Sequence, residues 1–251
     1  MTSIIICTVD PAKFDAARRN YRDLLGAEAE VIGIHDAKSL AEGYMRGIAR
    51  SRGDLLVFAH DDAAIHSREL KKQLAYYRAQ YDVFGVAGTS RVVYPVWTAS
   101  GPPYLYGQVA HYSAERKLYQ VNIYSAPSRC VSGMQGLDGV WIAASRGAAE
   151  VIGFDSSLFD GFHLYDLDFT FSAFRRGMKL GVCCDLGIVH ESPGTYDHKL
   201  NFYIELFAQK HKDALAFGLP RPYEIPRVLV PSVEEAMERM TPGHWGAPPW
   251  Q

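Results

Sequence analysis

The chain has 251 residues, of which 48% are hydrophobic and 22% are charged. These values are ordinary for a globular protein and argue against intrinsic disorder, a fibrous repeat or a coiled coil. The 26 Lys and Arg residues nearly balance the 28 Asp and Glu residues, and the formal net charge is −2. Because nucleic-acid binding needs a positive field, this balance disfavours a protein that coats DNA or RNA.

The sequence carries no signal for a membrane span or for secretion. No stretch approaches the roughly 18 consecutive apolar residues that a span requires, and residues 1–10 lack the basic segment of a signal peptide. The pattern therefore predicts a cytoplasmic protein with reduced thiols and no structural zinc site. The cysteines show no CxxC spacing: Cys7, Cys130, Cys183 and Cys184.

The first ninety residues alternate between apolar runs and segments of helical period. Helices are predicted from Asp10-Pro11, Ser39 and Ser67, because these residue types are favoured where helices begin. Repeated strand–helix units of this length predict an α/β fold with an open, mostly parallel sheet and helices on both faces. The apolar runs predict strands at residues 4–8, 31–34, 54–59 and 83–86.

The pattern changes in residues 90–135, which contain four prolines and many aromatic residues. This composition predicts an irregular or antiparallel insert. Aromatic faces and hydroxyls bind sugars well, so the insert could contact a carbohydrate. Equally, its aromatic side chains could fill a small core or a homodimer interface. The residues concerned are Tyr94, Trp97, Tyr104, Tyr106, Tyr112, Tyr119 and Tyr124.

Regular alternation resumes after the insert. Strands are predicted at residues 140–143, 180–183 and 187–190, and helices from Ser145, over 166–176 and over 196–216. The apolar face of the last helix could contact a membrane surface, although core packing explains it equally well. The predicted single domain covers residues 1–220 and consists of a first half of about 1–90, the insert of about 90–135 and a second half of about 136–220. A Pro-rich tail of residues 221–251 follows.

Strand ends are the first place to look for a site, because ligands of open α/β sheets bind outside the carboxyl ends of the strands. The chain has neither GxGxxG nor GxxxxGK[ST], so it lacks both a Rossmann dinucleotide loop and a P-loop. If the sheet binds a nucleoside diphosphate, another group must neutralise the phosphates.

His60-Asp61-Asp62 directly follows a predicted strand. Adjacent carboxylates repel each other unless a cation holds them, and a divalent metal on Asp62 would both relieve this repulsion and bind phosphate oxygens. His190, at the end of another predicted strand, could complete the metal site. The alternative is that the two Asp residues cap a turn and that His190 is a loop histidine without function.

A second acidic pair, Asp166 and Asp168, lies at the start of the helix predicted over residues 166–176. The helix dipole favours an ionised carboxylate there, so Asp166 could serve as an accessible general base. Asp168 would project about 200° further round the helix, away from Asp166. The alternative is that Asp166 only caps the helix and that Asp168 is a surface residue.

Several segments match motifs of one known family: residues 4–8, 34–37, 40–44, 53–62, 153–155 and 161–168, and His190. Together they resemble the nucleotide-sugar glycosyltransferases of the glycosyltransferase-A fold. The resemblance spans about residues 3–200. It is strongest to family 2 and its streptomycin-biosynthesis-type branch, in which His precedes the acidic metal-binding motif.

The resemblance implies roles for the strand-end residues. Thr8 and Asp36 would contact the nucleoside of the donor, and Asp61 would face the ribose or the metal. Asp62 and His190 would hold Mn²⁺ or Mg²⁺.

The resemblance also makes residues of about 1–90 the nucleotide-binding half of a glycosyltransferase-A domain and residues of about 136–220 its acceptor and catalytic half. Further roles follow in this second half. Asp166 would be the catalytic base, and Asp138 would line the pocket for the donor sugar or the acceptor. Tyr165-Asp166 stands where the family has a Glu-Asp pair, so Asp168 is a second candidate for contact with substrate.

The activity implied is transfer of a sugar from a UDP-linked donor to a hydroxyl of a carbohydrate, lipid-linked or other acceptor. The implied outcome is inversion, with retention open because His190 also resembles a metal ligand of retaining polypeptide sugar transferases. Two other function classes fit the residues: a metal-dependent phosphohydrolase or nucleotidyltransferase, and a non-catalytic sugar-binding module.

Overall fold

The computed structural model describes residues 1–192, 198–215, 218, 223–241 and 245–250. In chain order the strands are β1 (Thr2–Cys7), β2 (Glu30–Ile34), β3 (Leu55–His60), β4 (Ala63–Ile65), β5 (Val83–Gly85), β6 (Ala87–Thr89), β7 (Leu105–Ser113), β8 (Leu118–Ser125), β9 (Cys130–Ser132), β10 (Gly136–Leu137), β11 (Trp141–Ser145), β12 (Leu180–Cys183), β13 (Ile188–His190) and β14 (Arg227–Val230). The helices are α1 (Pro11–Leu25), α2 (Leu40–Arg50), α3 (Leu70–Arg78), α4 (Arg146–Ile152), α5 (Tyr165–Arg175), α6 (Leu200–Lys210) and α7 (Val233–Met240), with a short 3-10 helix over Trp97–Ser100.

The first sheet has the strand order β2-β1-β3-β11-β5-β12-β9. Strand β1 runs parallel to β2 and β3, and β5 runs parallel to β12, as the strand–helix alternation predicts. Strand β11 instead runs antiparallel to both of its neighbours, and β9 runs antiparallel to β12. The α/β fold is confirmed, but the sheet is mixed rather than mostly parallel, because an apolar run such as β11 carries no information about strand direction.

The helix starts follow the local chemistry of the sequence. Side chains of Asp10, Ser39 and Ser145 accept hydrogen bonds from amides in the first turns of α1, α2 and α4, as predicted. Ser67 does not cap α3, which begins at Leu70. Its hydroxyl bonds instead to the backbone of residues 185–187 and so links the start of α3 to the chain that leads into β13.

The second sheet contains the two long strands of the insert, β7 and β8, and has the order β10-β6-β7-β13-β4. Strand β8 pairs with the part of β7 that follows its pairing with β6, and β14 pairs with the other edge of β8. Its pairs are antiparallel except for β7 with β13. Residues 90–135 therefore adopt the antiparallel alternative. The segment predicted as a tail contributes β14 to this sheet, and α7 packs against β8 and β14.

Aromatic side chains join the first sheet to α5 underneath the strand ends. Phe58 of β3 packs edge-on against Phe154 at a centroid distance of 4.9 Å, and Phe154 stacks on Phe169 of α5 at 4.3 Å. Such pairs contribute about 0.5–1.5 kcal/mol each beyond the area that they bury. They hold the start of α5 beside the end of β3.

The apolar face of α6 packs inward, since Tyr203 and Phe207 are buried. This is the core-packing alternative for the helix predicted over residues 196–216, of which residues 196, 197 and 216 lie outside the described residues. Phe202 on the same helix is exposed. A search of the described residues for a helix that is long and apolar enough to cross a membrane found none.

Candidate active site

A cavity of about 820 Å³ opens at the carboxyl ends of β1 and β3 and extends over one face of the second sheet. Its volume is typical of a site for a small organic ligand. The cavity brings together six of the eight residues predicted for the site: Thr8, Asp61, Asp62, Asp138, Asp166 and His190.

Three of the lining side chains form a cluster that could hold a metal ion. His60, Asp62 and His190 each offer one ligand atom, and these atoms lie within 4.8 Å of one another. Nε2 of His190 is 3.2 Å from Oδ1 of Asp62 and 3.3 Å from Nδ1 of His60. Strand pairing explains the convergence, because β13 pairs with β4 so that His190 lies opposite Ala63, the residue after Asp62.

The protonation states of the cluster suit metal binding. Burial and the nearby His190 lower the pKa of His60, so its ring is neutral at pH 7. Burial is the largest single influence on Asp62 and opposes its ionisation. The hydrogen bond and charge of His190, with smaller contributions from Ser192 and His60, together outweigh burial and hold the pKa of this carboxyl well below its usual range. A neutral imidazole and an ionised carboxylate are the forms that bind divalent cations.

Tyr165 orients His60 within the cluster. Its hydroxyl lies 2.9 Å from Nε2 of His60 and 3.4 Å from the carbonyl oxygen of Gly139. When the hydroxyl donates its single proton to that carbonyl, it accepts a hydrogen bond from Nε2 of His60. The lone pair of the ring then lies on Nδ1, the atom that faces His190.

Asp61 faces away from the cluster. The hydroxyl of Thr8 donates to Oδ2 of Asp61 at 2.6 Å and accepts a hydrogen bond from the amide of Asp10 at 3.0 Å. The pair joins the ends of the two parallel strands β1 and β3. It lies in the part of the cavity that Ala37 and Leu40 also line.

Asp166 is half-buried in the first turn of α5, where it lines the cavity. Burial, and next the negative charge of Asp138, raise the pKa of Asp166 from 3.8 to about 7, although backbone amides of Leu167, Asp166 and Gly139 act in the opposite direction. Desolvation therefore opposes the ionisation that the helix start is expected to favour at this residue. Leu164, immediately before the helix, adopts a left-handed φ of 59°.

Asp138 is held by two donors beside Asp166. Nε1 of Trp97 donates to Oδ2 at 3.0 Å, and the amide of Val140 donates to Oδ1 at 2.9 Å. The Trp97 ring packs edge-on against Tyr124 at 4.7 Å. Both rings line the cavity, so part of the aromatic insert contributes to the site.

A model of the Glycosyltransferase like family matches residues 3–211, which is most of the chain. The chain belongs to this family. A search of curated proteins found no match. Among solved structures, GalNAc-T7 with UDP, GalNAc and Mn²⁺ is similar at a TM-score of 0.55 and 10% identity, covering 84% of this chain and 48% of that one. This likeness concerns the fold, and the glycosyltransferase spans about half the length of GalNAc-T7.

Two further solved structures are similar to the glycosyltransferase over much of its length. A197 from STIV has a TM-score of 0.41 and 12% identity, covering 78% of this chain and 96% of that one. TarS from S. aureus, residues 1–349, has a TM-score of 0.45 and 14% identity, covering 83% of this chain and 64% of that one.

Two residues predicted to contact substrate lie elsewhere in the glycosyltransferase. The side chain of Asp36 is 80% exposed and pairs with Arg46 at 2.8 Å, outside the cavity. Asp168 is 2% exposed and accepts hydrogen bonds from Lys210 and His211, each at 2.8 Å. Asp36 pairs with Arg46 on the surface and Asp168 joins α5 to the end of α6. Contact of either residue with substrate stays a prediction.

Sequence reasoning missed three residues of the site. His60 stood in the recognised motif, but its pairing with His190 depends on the contact between β4 and β13. In the sequence, Tyr165 stands out only as a departure from the family's Glu-Asp pair. His111 of β7 lies in register with His190, at a ring distance of 5.5 Å, and nothing in the sequence of the insert indicated this neighbour.

Proposed function

We propose that this glycosyltransferase transfers a sugar from a UDP-linked donor to an acceptor hydroxyl with the help of a divalent metal ion. The observation that carries the proposal is the convergence of His60, Asp62 and His190 within 4.8 Å. Asp166, a half-buried carboxyl whose pKa is raised to about 7 by desolvation, lies in the same cavity. The motifs at residues 60–62 and 161–168 further support the streptomycin-biosynthesis-type branch of family 2.

The three candidate ligands fit a divalent transition metal. Oxygen-rich sites favour Mg²⁺, whereas two imidazoles and one carboxylate shift the preference towards Mn²⁺. When bound there, the metal would neutralise charge on the diphosphate of the donor and of the departing UDP. The chain has no Gly-rich phosphate loop to take this role. The similar GalNAc-T7 structure also contains Mn²⁺ and UDP.

The nucleoside of the donor would occupy the end of the cavity beside Thr8 and Asp61. That end is bounded by the carboxyl ends of parallel strands, where open α/β sheets bind their ligands. Oδ2 of Asp61 already accepts a hydrogen bond from the Thr8 hydroxyl. Oδ1 is therefore left to accept a hydrogen bond from a ribose hydroxyl.

Asp166 would act as the catalytic base in an inverting reaction. The acceptor oxygen forms a bond to the anomeric carbon, the bond from that carbon to the diphosphate breaks, and the acceptor proton passes to Asp166. A pKa of about 7 makes Asp166 more basic than an ordinary carboxylate, while part of the population stays ionised at neutral pH. Asp138 would lie beside the reacting groups in the donor-sugar or acceptor pocket.

Calorimetry of UDP binding tests the metal site. The titration is run with Mn²⁺ and with EDTA on the unmodified protein, on Asp62→Asn and on the control Asp23→Asn, which changes an exposed carboxylate of α1. We expect UDP affinity to fall at least about tenfold in EDTA and in Asp62→Asn, since each removes charge neutralisation at the diphosphate. The control should bind as the unmodified protein does. Equal affinity under all conditions would contradict the proposal.

A further inference from the structure

A row of polar side chains crosses one face of the second sheet and leads away from the candidate metal ligands. Residues paired in register on neighbouring strands place their side chains on the same face of a sheet. His190 of β13 pairs with His111 of β7, and His111 pairs with Gln120 of β8. Two residues further along β8, Asn122 pairs with Arg227 of β14. All five residues line the cavity, and we call them the polar row.

Arg227 lies at the far end of the polar row from the metal ligands. Strands β7 and β8 separate β14 from β13. Three spacings of about 4.8 Å between strands and the offset of two residues along β8 place the backbone of Arg227 about 16 Å from that of His190. Arg227 therefore lies remote from the metal ligands, beside the part of the cavity left for the acceptor.

Charge distinguishes Arg227 from the rest of the cavity. Among the described residues, Arg227 is the one permanently charged cation that lines the cavity. Four carboxylates line it as well: Asp61, Asp62, Asp138 and Asp166. In the part of the chain that the structure describes, no carboxylate forms an ion pair with Arg227. All four residues of β14 pair with residues of β8, so the backbone that carries the Arg227 side chain is part of the sheet.

We propose that Arg227 binds an oxyanion, a carboxylate or a phosphate, carried by the acceptor. The inference rests on the proposed function, because it assumes that the donor occupies the other end of the cavity. An acidic acceptor would be repelled by the carboxylates and by the diphosphate, and Arg227 offsets this repulsion at the end farthest from both. The planar guanidinium matches the two oxygens of a carboxylate or phosphate.

The carboxamides of Gln120 and Asn122 bridge the distance between Arg227 and the reaction centre. They bond to each other at 2.9 Å, which fixes their orientation on β8. Carboxamides both donate and accept hydrogen bonds, so they suit the neutral hydroxyls of a sugar or polyol. The acceptor class is therefore a hydroxylated molecule with an acidic group at the end remote from its reacting hydroxyl.

Matched pairs of neutral and acidic sugars test the inference. Binding of galactose and galacturonate, and of glucose and glucose 6-phosphate, is measured by calorimetry with and without saturating Mn²⁺ and UDP. We expect at least one acidic member to bind about tenfold or more tightly than its neutral partner, as charge-assisted hydrogen bonds allow. Arg227→Gln should abolish this preference and Arg227→Lys should keep part of it. The control Arg116→Gln, which removes an exposed arginine outside the cavity, should leave it intact.

The inference would be overturned by an unmodified protein with no preference for either acidic sugar, or by a preference that survives Arg227→Gln. The same holds if Arg227→Gln weakens Mn²⁺-dependent UDP binding by the same factor, because the arginine would then serve the donor. Failure of the proposed function has a different signature, namely no metal-dependent binding of UDP to the unmodified protein. The galacturonate and glucose 6-phosphate arms separate a carboxylate from a phosphate.

Discussion

Replacing Asp166 with Asn should make the protein more stable and much less active. The substitution keeps the size of the side chain but removes the ionisable group. In the folded protein, burial and Asp138 raise the pKa of this carboxyl to about 7. Its pKa in the unfolded chain is about 3.9. The folded state therefore retains the Asp166 proton at a pH where the unfolded state has lost it.

The size of the stability change follows from these two pKa values. Below about pH 4 the carboxyl is protonated in both states and does not affect the free energy of unfolding. As the pH rises towards 7, only the unfolded state releases its proton, and the folded protein loses stability. Between pH 5 and pH 8 the loss amounts to about 2–3 kcal/mol. Asp166→Asn does not titrate, so its stability relative to the unmodified protein should rise by that amount.

Denaturant unfolding at pH 5 and pH 8 in EDTA measures this difference, with the exposed Asp23→Asn as the control that shows none. Transfer of sugar by Asp166→Asn should fall about 10²–10⁴-fold, the usual contribution of a general base. Mn²⁺-dependent UDP affinity should change little. Transfer at near-normal rates would refute the role of Asp166 as base. A variant that is no more stable at pH 8 would refute the argument from burial.

Three further substitutions test neighbouring parts of the site. Asp168→Asn should lower the free energy of unfolding by about 1–3 kcal/mol, because His211 and Lys210 lose a charged acceptor while Lys210 keeps its ion pair with Asp155. UDP affinity of the protein that stays folded should be normal, and weaker UDP binding without loss of stability would place Asp168 in the site. Asp138→Asn should move the acid limb of the pH–activity profile to lower pH, since the charge of Asp138 raises the pKa of Asp166; an unmoved profile would contradict this coupling. Gly139→Ala should abolish transfer, because a Cβ there would lie 2.8 Å from Oδ2 of Asp166, whereas Gly147→Ala, with open space around it, should be active.

The sequence predicted which residues lie together at the strand ends. Apolar runs that stop at polar residues predict buried strands, and parallel pairing of β1 and β3 brings Thr8 and Asp61 side by side. The helix starts at Asp10 and Ser39 were also predictable, since capping depends on hydrogen bonds within a few residues. These features need only local pattern and the geometry of parallel strands.

The remaining features depend on contacts between distant segments. Local periodicity does not predict that β11 runs in the reversed direction. Nor does it predict that β4 pairs with β13, the contact that brings His60 to His190. Arg46 turns Asp36 outward through one ion pair that spacing alone does not predict. The pKa of Asp166 departs from the helix-dipole expectation because tertiary packing removes water from around it.

Crystals grown with Mn²⁺ and UDP would locate the metal and the donor nucleotide together, through anomalous diffraction of the metal. We predict one anomalous peak within coordination distance of Nδ1 of His60, Oδ1 of Asp62 and Nε2 of His190, with UDP phosphate oxygens completing the coordination. The uracil and ribose should lie beside Thr8 and Asp61. A peak at other residues, or UDP bound with no metal at these three atoms, would contradict a metal-dependent transfer at this site.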